Sequence, residues 1–184
     1  MINVENTLFK NGFMNVREVT SPITGTENKF VTFGRNKTKT GAIIVPITPD
    51  EKVMLVKEYR IGGDVFTISV PKGAADSVGE SAVSIAEREL SEELGAEFDS
   101  ISETNMTAYP LPAFADFYGQ VVFAHGVRVT GNSALEAGEV IELYGEFTKA
   151  EVFKMLQQGQ INDAEGAMAL QAWLLSAMSE DMFK

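Results

Sequence analysis

The sequence predicts an α/β fold with a β-rich extension at its N-terminus. Three observations carry this. Before Pro71 the chain is mostly apolar and β-branched runs broken by turn signals, Asn11-Gly12 the clearest of them. Residues 81–94 repeat apolar side chains at helical spacing and end at Gly95, a residue suited to a left-handed helix stop. Residues 148–178 read as two more helices, the first opened by the capping box Thr148-Lys149-Ala150-Glu151.

Each element has its own reason. After the Asn11-Gly12 turn, residues 13–20 form a strand. Ser21-Pro22 through Gly25 turns the chain, and residues 30–33 return as another strand. Residues 1–40 are therefore an N-terminal extension, and 41–184 the main domain. Residues 41–47 are a buried strand. Pro46 lacks an N–H, which puts the end of that strand at a sheet edge. Asp50-Glu51 makes a turn, residues 53–56 the next strand, and residues 66–70 a third. On the 81–94 helix the apolar stripe is Val83, Ala86, Leu90 and Leu94. Residues 97–105 are polar and read as loop, and a strand opens at 106–109. Residues 117–124 and 140–147 are strands, joined by a mobile loop over 129–139 marked by Gly131-Asn132 and Gly138. The last helix, 164–178, has the stripe Ala167, Leu170, Leu174, Leu175 and Met178, with Met168 and Trp173 in packing roles.

Composition narrows the function. At 184 residues and 45% hydrophobic content the chain suits one globular domain. It has no cysteine, so disulfides and thiolate metal sites are excluded. Its one histidine, His125, sits in an apolar run and reads as a strand residue. Fifteen Lys and Arg against twenty-six Asp and Glu give a net charge of -11, which disfavours nucleic-acid backbones and anionic membranes as partners. No secretory signal or membrane-length apolar run is present, so a soluble cytoplasmic protein is expected.

The chemistry concentrates on the 81–94 helix. Glu89 and Glu93 are four residues apart and stack on one face, with Glu92 beside them, at the border of the apolar stripe. Two such charges ~6 Å apart at an effective dielectric of ~20 repel by about 2.8 kcal/mol. Arg88 offsets part of this by pairing with Glu92, but one arginine does not neutralise three acids. A hard divalent cation does, and all-oxygen ligands suit Mg²⁺ or Mn²⁺, whose other positions are shared with water and substrate phosphates. A solvated acidic helix face is the plainer alternative.

The whole string resembles the signature of the Nudix hydrolases, G-x5-E-x7-R-E-U-x-E-E-x-G-U. From Glu80 onward the spacing matches through Arg88, Glu89, Leu90, Glu92, Glu93 and Gly95. Gly73 and Glu80 enclose six residues instead of five, and Ala96 stands where a bulky aliphatic is usual. The resemblance implies a mixed β-sheet sandwiched between helices. It implies Mg²⁺ (or Mn²⁺) held by Glu89, Glu93 and Glu92 with a loop carbonyl at Gly73, and Glu80 supporting the loop or a bound water. Arg88 would orient Glu92.

Three further stretches resemble the branch of that family acting on ADP-ribose and related ADP compounds. Glu58-Tyr59-Arg60 implies that Arg60 reaches substrate phosphates. Tyr109-Pro110-Leu111-Pro112-Ala113-Phe114 is similar to a Tyr-Pro-x-Pro-Gly substrate loop, with Tyr109 and Phe114 placed to stack on a base or ribose. Gly-Gln-Ile-Asn-Asp-Ala over 159–164 is a third match. In that branch a glutamate often sits on the strand here read as 66–70. Thr67-Ile68-Ser69 supplies none, so that contact is expected to be absent. The branch takes its general base from the loop before the final strand, which makes Glu136 and Glu139 the candidates. Glu136 is slightly favoured as nearer the loop centre, and Glu92 is next. The N-terminal β region of that branch implies a homodimer.

The expected reaction is hydrolysis of a nucleoside diphosphate linked to a group X, giving a nucleoside monophosphate and X-phosphate. Hydrolysis of nucleoside triphosphates is one alternative, and a catalytically silent metabolite-binding module is another.

Overall fold

In the computed structural model, residues 2–25 and 27–182 are described. In chain order the elements are β1 (Asn3–Lys10), β2 (Met14–Thr20), β3 (Phe30–Arg35), β4 (Thr40–Ile47), β5 (Val53–Arg60), β6 (Val65–Ser69), β7 (Lys72–Ala74), α1 (Ala82–Leu94), β8 (Ala96–Glu97), β9 (Ser100–Ala108), β10 (Tyr118–His125), β11 (Arg128–Val129), β12 (Ile141–Phe147), α2 (Lys149–Gln157) and α3 (Ala164–Met182). The strands β1-β2-β3 form an antiparallel sheet of their own. A mixed seven-stranded sheet runs β12-β5-β4-β10-β9, with β6 beside β5 and β7 beside β4; β4 and β10 are parallel.

The period-2 alternation of a strand splits the core into two layers. Ala42, Ile44, Met54, Val56, Val122 and Ala124 face α1, which answers with Ile85, Ala86, Leu90 and Leu94. Ile43, Val45, Leu55 and Val121 face the other way, onto Val152 and Met155 of α2 and Leu170 and Trp173 of α3. Each large side chain fully buried this way contributes about 1.5–3 kcal/mol. The result is the expected α/β layering, a mixed sheet between helices. Ser81 caps α1 by accepting from the Ser84 N–H, and the Thr148–Glu151 capping box opens α2.

The small sheet is pinned to the large one through the 110–117 loop. Phe33 N donates to Phe114 O at 2.8 Å, and Asp116 N donates to Phe33 O at 3.1 Å. Arg17 of β2 pairs with Asp116, and Lys39 Nζ lies 3.1 Å from the same carboxylate.

Several expectations are corrected. Residues 100–105 are not loop but the first part of β9, an outer strand whose polar side chains face outward. Pro46 is not at an edge: β4 is interior, and Pro46 pairs with Ala124. Ile44 N points away from β10, to Pro71 O, so by period 2 the missing donor of Pro46 falls on that same side. There β4 and β5 have splayed apart and meet only at Ile47 and Val53. On α1, Ile85 is fully buried, whereas Val83 is only half-buried. On α3, Leu175 is exposed, and Ala169 and Trp173 take the buried positions instead; the Met178 side chain lies outside the described residues.

Gly95 closes α1 at φ +56°. A Cβ there would meet Asn132 O and Gly131 C at 2.8 Å. Gly95→Ala should therefore lower stability in urea denaturation by about 1–3 kcal/mol, from left-handed strain and this close approach together.

Candidate active site

Two layers of bare backbone bring the helix carboxylates into the fold. In β7, Gly73 pairs with Ala42 of β4, so this glycine lies in a short strand and not in a loop. A Cβ on Gly73 would lie 1.8 Å from Glu89 Oε1, and one on Gly41 would lie 2.6 Å from Gly73 O. Glycine at both positions lets β4, β7 and the Glu89 side chain stack in direct contact. Glu89 and Glu93 end 8% and 5% exposed. Glu93 accepts a hydrogen bond from the Lys72 backbone N–H, yet its Oε2 is buried without a partner. Burial pushes the Glu89 carboxyl up to about 7, with Arg88 opposing. Burial, then repulsion from Glu89, Glu58 and Glu139, holds Glu93 well above the usual carboxylate range.

Arg88 ties the helix to the preceding turn. Its Nη1 donates to Glu89 Oε1 at 2.7 Å and to Glu92 Oε2 at 3.0 Å, and its Nη2 to Ala74 O at 2.6 Å. Glu80 Oε2 accepts from Asp76 N at 2.6 Å, which closes the turn lengthened by one residue. Glu80 braces this turn and does not border the cavity in front of the carboxylates.

That cavity, about 270 Å³, is bordered by six glutamates: Glu58, Glu89, Glu92, Glu93, Glu136 and Glu139. Glu58 was not among the candidates from the sequence. It stands opposite Thr67 of β6, so β5 supplies a carboxylate where the neighbouring strand has none. The signal was present in period 2, because Met54, Val56 and Glu58 share the β5 face that α1 covers. Burial raises its proton affinity, with Arg60, its ion-pair partner, opposing.

The loop carrying Glu136 and Glu139 is rooted on α1. Thr130 N and Gly131 N both donate to Gly95 O, and Ala134 N donates to Glu92 O at 2.7 Å, which satisfies carbonyls a helix end leaves open. Glu136 N donates to Glu139 Oε2 at 2.9 Å. Repulsion from Glu139 helps raise Glu58, Glu89 and Glu93. The charge of Glu139 thus reaches the buried carboxylates.

A second cavity of about 260 Å³ adjoins the first, and Arg35, Arg60, Lys72 and Gly73 border both. Lys72 and Arg35 were also missed in the sequence. Burial lowers the Arg35 proton affinity, and its guanidinium sits 5.3 Å from the Phe117 ring centroid. Tyr109 and Phe114 border neither cavity and are largely exposed. The loop between them is held by β3, and Phe117 and Tyr118 at its end reach the second cavity instead. Tyr109 leans on Tyr118 at 5.4 Å between ring centroids.

Among the described residues no three acidic or histidine side chains are gathered into a ready cation cage. The donor chemistry nevertheless fits a hard divalent cation: two buried carboxylates of raised proton affinity, one with an orphaned oxygen, beside Glu92 and Glu58. Glu89, Glu93 and Glu92 would hold such an ion.

The buried carboxylates set a pH dependence. The folded chain keeps the Glu89 proton up to about pH 7, whereas a free glutamate loses it near 4.5. Between those values the folded state binds more protons, so stability falls as pH rises and the loss is complete above the folded value. In a chelator, the melting temperature should drop across this window, and Glu89→Gln should flatten the drop. An unchanged slope in the variant would mean that Glu89 is already ionised in the fold.

The NUDIX domain family matches residues 37–168 of this chain. No curated protein matches it by sequence. Among solved structures, the crystal structure of an ADP compounds hydrolase aligns with a TM-score of 0.73 at 21% identity, covering 98% of this chain and 95% of that one. The likeness extends over the small N-terminal sheet as well as the large one, and at that identity it speaks for the fold. The family match spans most of the chain, including the helix that bears Arg88, Glu89, Glu92 and Glu93, and the chain belongs to the Nudix family.

Proposed function

We propose that this chain is a divalent-cation-dependent pyrophosphatase, Mg²⁺ being the natural ion, that hydrolyses a nucleoside diphosphate linked to X into a nucleoside monophosphate and X-phosphate. One observation carries the reading: a cavity of glutamates continues into a second cavity across a neck of Arg35, Arg60 and Lys72. A diphosphate between two organic groups suits that neck, with a group on either side. The aligned ADP compounds hydrolase supports an ADP derivative, ADP-ribose first, as the substrate.

The chain's own residues divide the work. Arg60, Arg35 and Lys72 bind and orient the phosphates. Arg88 holds Glu89 and Glu92 in place. When bound, the divalent cation neutralises the diphosphate and polarises a phosphorus–oxygen bond. Glu139 takes the proton from the attacking water, whose oxygen bonds to phosphorus while the anhydride bond breaks and the bridging oxygen leaves with the other phosphate. Glu139 replaces Glu136 as the favoured base because it adjoins Val140, whose carbonyl is anchored by Tyr59 N, and because its charge helps raise Glu89 and Glu93.

The chain is further proposed to be a homodimer through its small sheet. Every residue of β1 is exposed, Val4, Leu8 and Phe9 among them, and its outer edge has no strand partner among the described residues. An open apolar edge of this length is a surface proteins cover. Analytical ultracentrifugation of Phe9→Lys should show a smaller species than wild type.

Product chromatography with ADP-ribose and Mg²⁺ should give AMP and ribose 5-phosphate. A triphosphate hydrolase would release pyrophosphate, and a binding module would release nothing. Glu139→Gln should lower kcat about 10²–10⁴-fold with little change in cation affinity. Glu136→Gln should leave kcat near wild type, and Glu89→Gln should lower both turnover and cation affinity. Equal losses in both loop variants would remove Glu139 from the base role.

A further inference from the structure

Arg35 ends β3, and it is held differently from the other two cations at the neck. Arg60 pairs with Glu58 and Lys72 with Asp163. The Arg35 guanidinium rests on the Phe117 ring, 5.3 Å from its centroid, so its place is set by that ring and by the strand it ends. One segment, residues 115–117, grips both. It meets β3 through the parallel bridge between Phe33 and Ala115. By period 2, Phe33 and Arg35 lie on one face of β3 and Gly34 on the other. Phe117 covers the first face, its ring centroid 6.0 Å from that of Phe33. Asp116 covers the second: its carboxylate fills the space where a Gly34 side chain would stand. Asp116 Oδ2 is then held from two further segments, by Arg17 of β2 and by Lys39, 3.1 Å away in the link to β4.

This joint is a poor source of stability. Asp116 Oδ1, Arg17 Nε and Thr32 Oγ1 are all buried there without a protein partner among the described residues, and Thr32 stands opposite Arg17 in the β2–β3 pairing. A buried ion pair is weak evidence for stability, and fixing a register is its best-attested use. Register is what a bridge at one residue leaves open. A slip of one residue along β3 would put Gly34 or Asn36 where Arg35 stands. Asp116 borders neither cavity, so any effect it has on the site passes through what it holds.

We propose that Asp116 is a positioning residue: by filling the Gly34 side of β3 it keeps Arg35 in register with Phe117 and so aims the guanidinium at an anion in the neck. The proposal rests on the neck being the diphosphate site, but its test reads binding and not turnover. Methylenediphosphonate, whose P–C–P bridge resists hydrolysis, is titrated in excess Mg²⁺ by isothermal calorimetry. Charge and position predict opposite signs. Asp116→Asn removes a negative charge, which by charge alone tightens anion binding, whereas lost position should weaken it about tenfold. Gly34→Ala keeps every charge, and its methyl group meets only the end of the flexible Asp116 side chain, so the chain should still fold and show the same weakening. If Asp116→Asn does not fold, Gly34→Ala alone decides. In an Arg35→Ala background neither substitution should weaken binding further, whereas a merely loosened fold would weaken it with or without Arg35. Wild-type affinity in the two single variants, or an equal loss in both backgrounds, overturns the role of Asp116. Diphosphonate binding that ignores Arg35→Ala removes Arg35 from the neck and overturns that role as well. A chain that shows the coupling but hydrolyses no nucleoside diphosphate overturns the hydrolytic reading alone.

Discussion

Two carboxylates held almost out of water are the constraint on which the rest of this structure depends. Glu89 and Glu93 could reach solvent if α1 were rotated, but the same helix must also bury Ile85, Ala86, Leu90 and Leu94 against the sheet. With those positions fixed, the acids fall on the line where helix meets strand. The fold accommodates them by removing side chains: Gly73 and Gly41 leave backbone only, and Arg88 spans the gap to Ala74 O. The cost of burying like charges is met partly by raised proton affinity and partly by Arg88. That cost makes the site receptive to a cation, since a buried carboxylate with an orphaned oxygen gains from one what an exposed carboxylate already gets from water.

The opposite charges are segregated along the two adjoining cavities. Acids gather around the cavity in front of α1, cations at the neck, and a mixed set with aromatic residues beyond it. A chain with a net charge of -11 repels anions at long range, so under the proposed function the short-range placement of Arg35, Arg60 and Lys72 has to overcome the global field. Arg60 pairs with Glu58 and Lys72 with Asp163, while Arg35 rests on Phe117. Of the three, Arg35 is the one whose nearest recorded contact is an aromatic face and not a carboxylate.

Much of this was legible in the sequence, and the reasons for the remainder are physical. The helix over 82–94, its cap at Gly95 and the capping box of α2 come from short-range rules, so local sequence sufficed. The clustering of Glu89, Glu92 and Glu93 on one helix needed only the 3.6-residue period. Glu58, Lys72 and Arg35 escaped because their place in the site depends on which strands pair, and pairing joins residues far apart in the chain. Pro46 misled for a related reason: its missing N–H faces a local splay between β4 and β5 that no residue announces. Tyr109 and Phe114 sit in a loop whose backbone is held by β3, a contact between residues about eighty apart in the sequence. Residues 100–105 read as loop because an outer strand needs few apolar side chains.

The rooting of the 130–140 loop on α1 fixes a length as well as a position. Ala134 is tied to Glu92 O, Leu135 packs against the core beneath α1, and Val140 O accepts from Tyr59 N at 3.0 Å, so residues 136–139 span two anchors, one on α1 and one on β5. That span acts as a ruler. Adding or removing one residue inside it would change how far Glu139 extends without disturbing either anchor, whereas an insertion at 130–134 would unseat the end of α1. Variation in that reach therefore has a permitted address, residues 136–139, and a forbidden one only a few residues earlier.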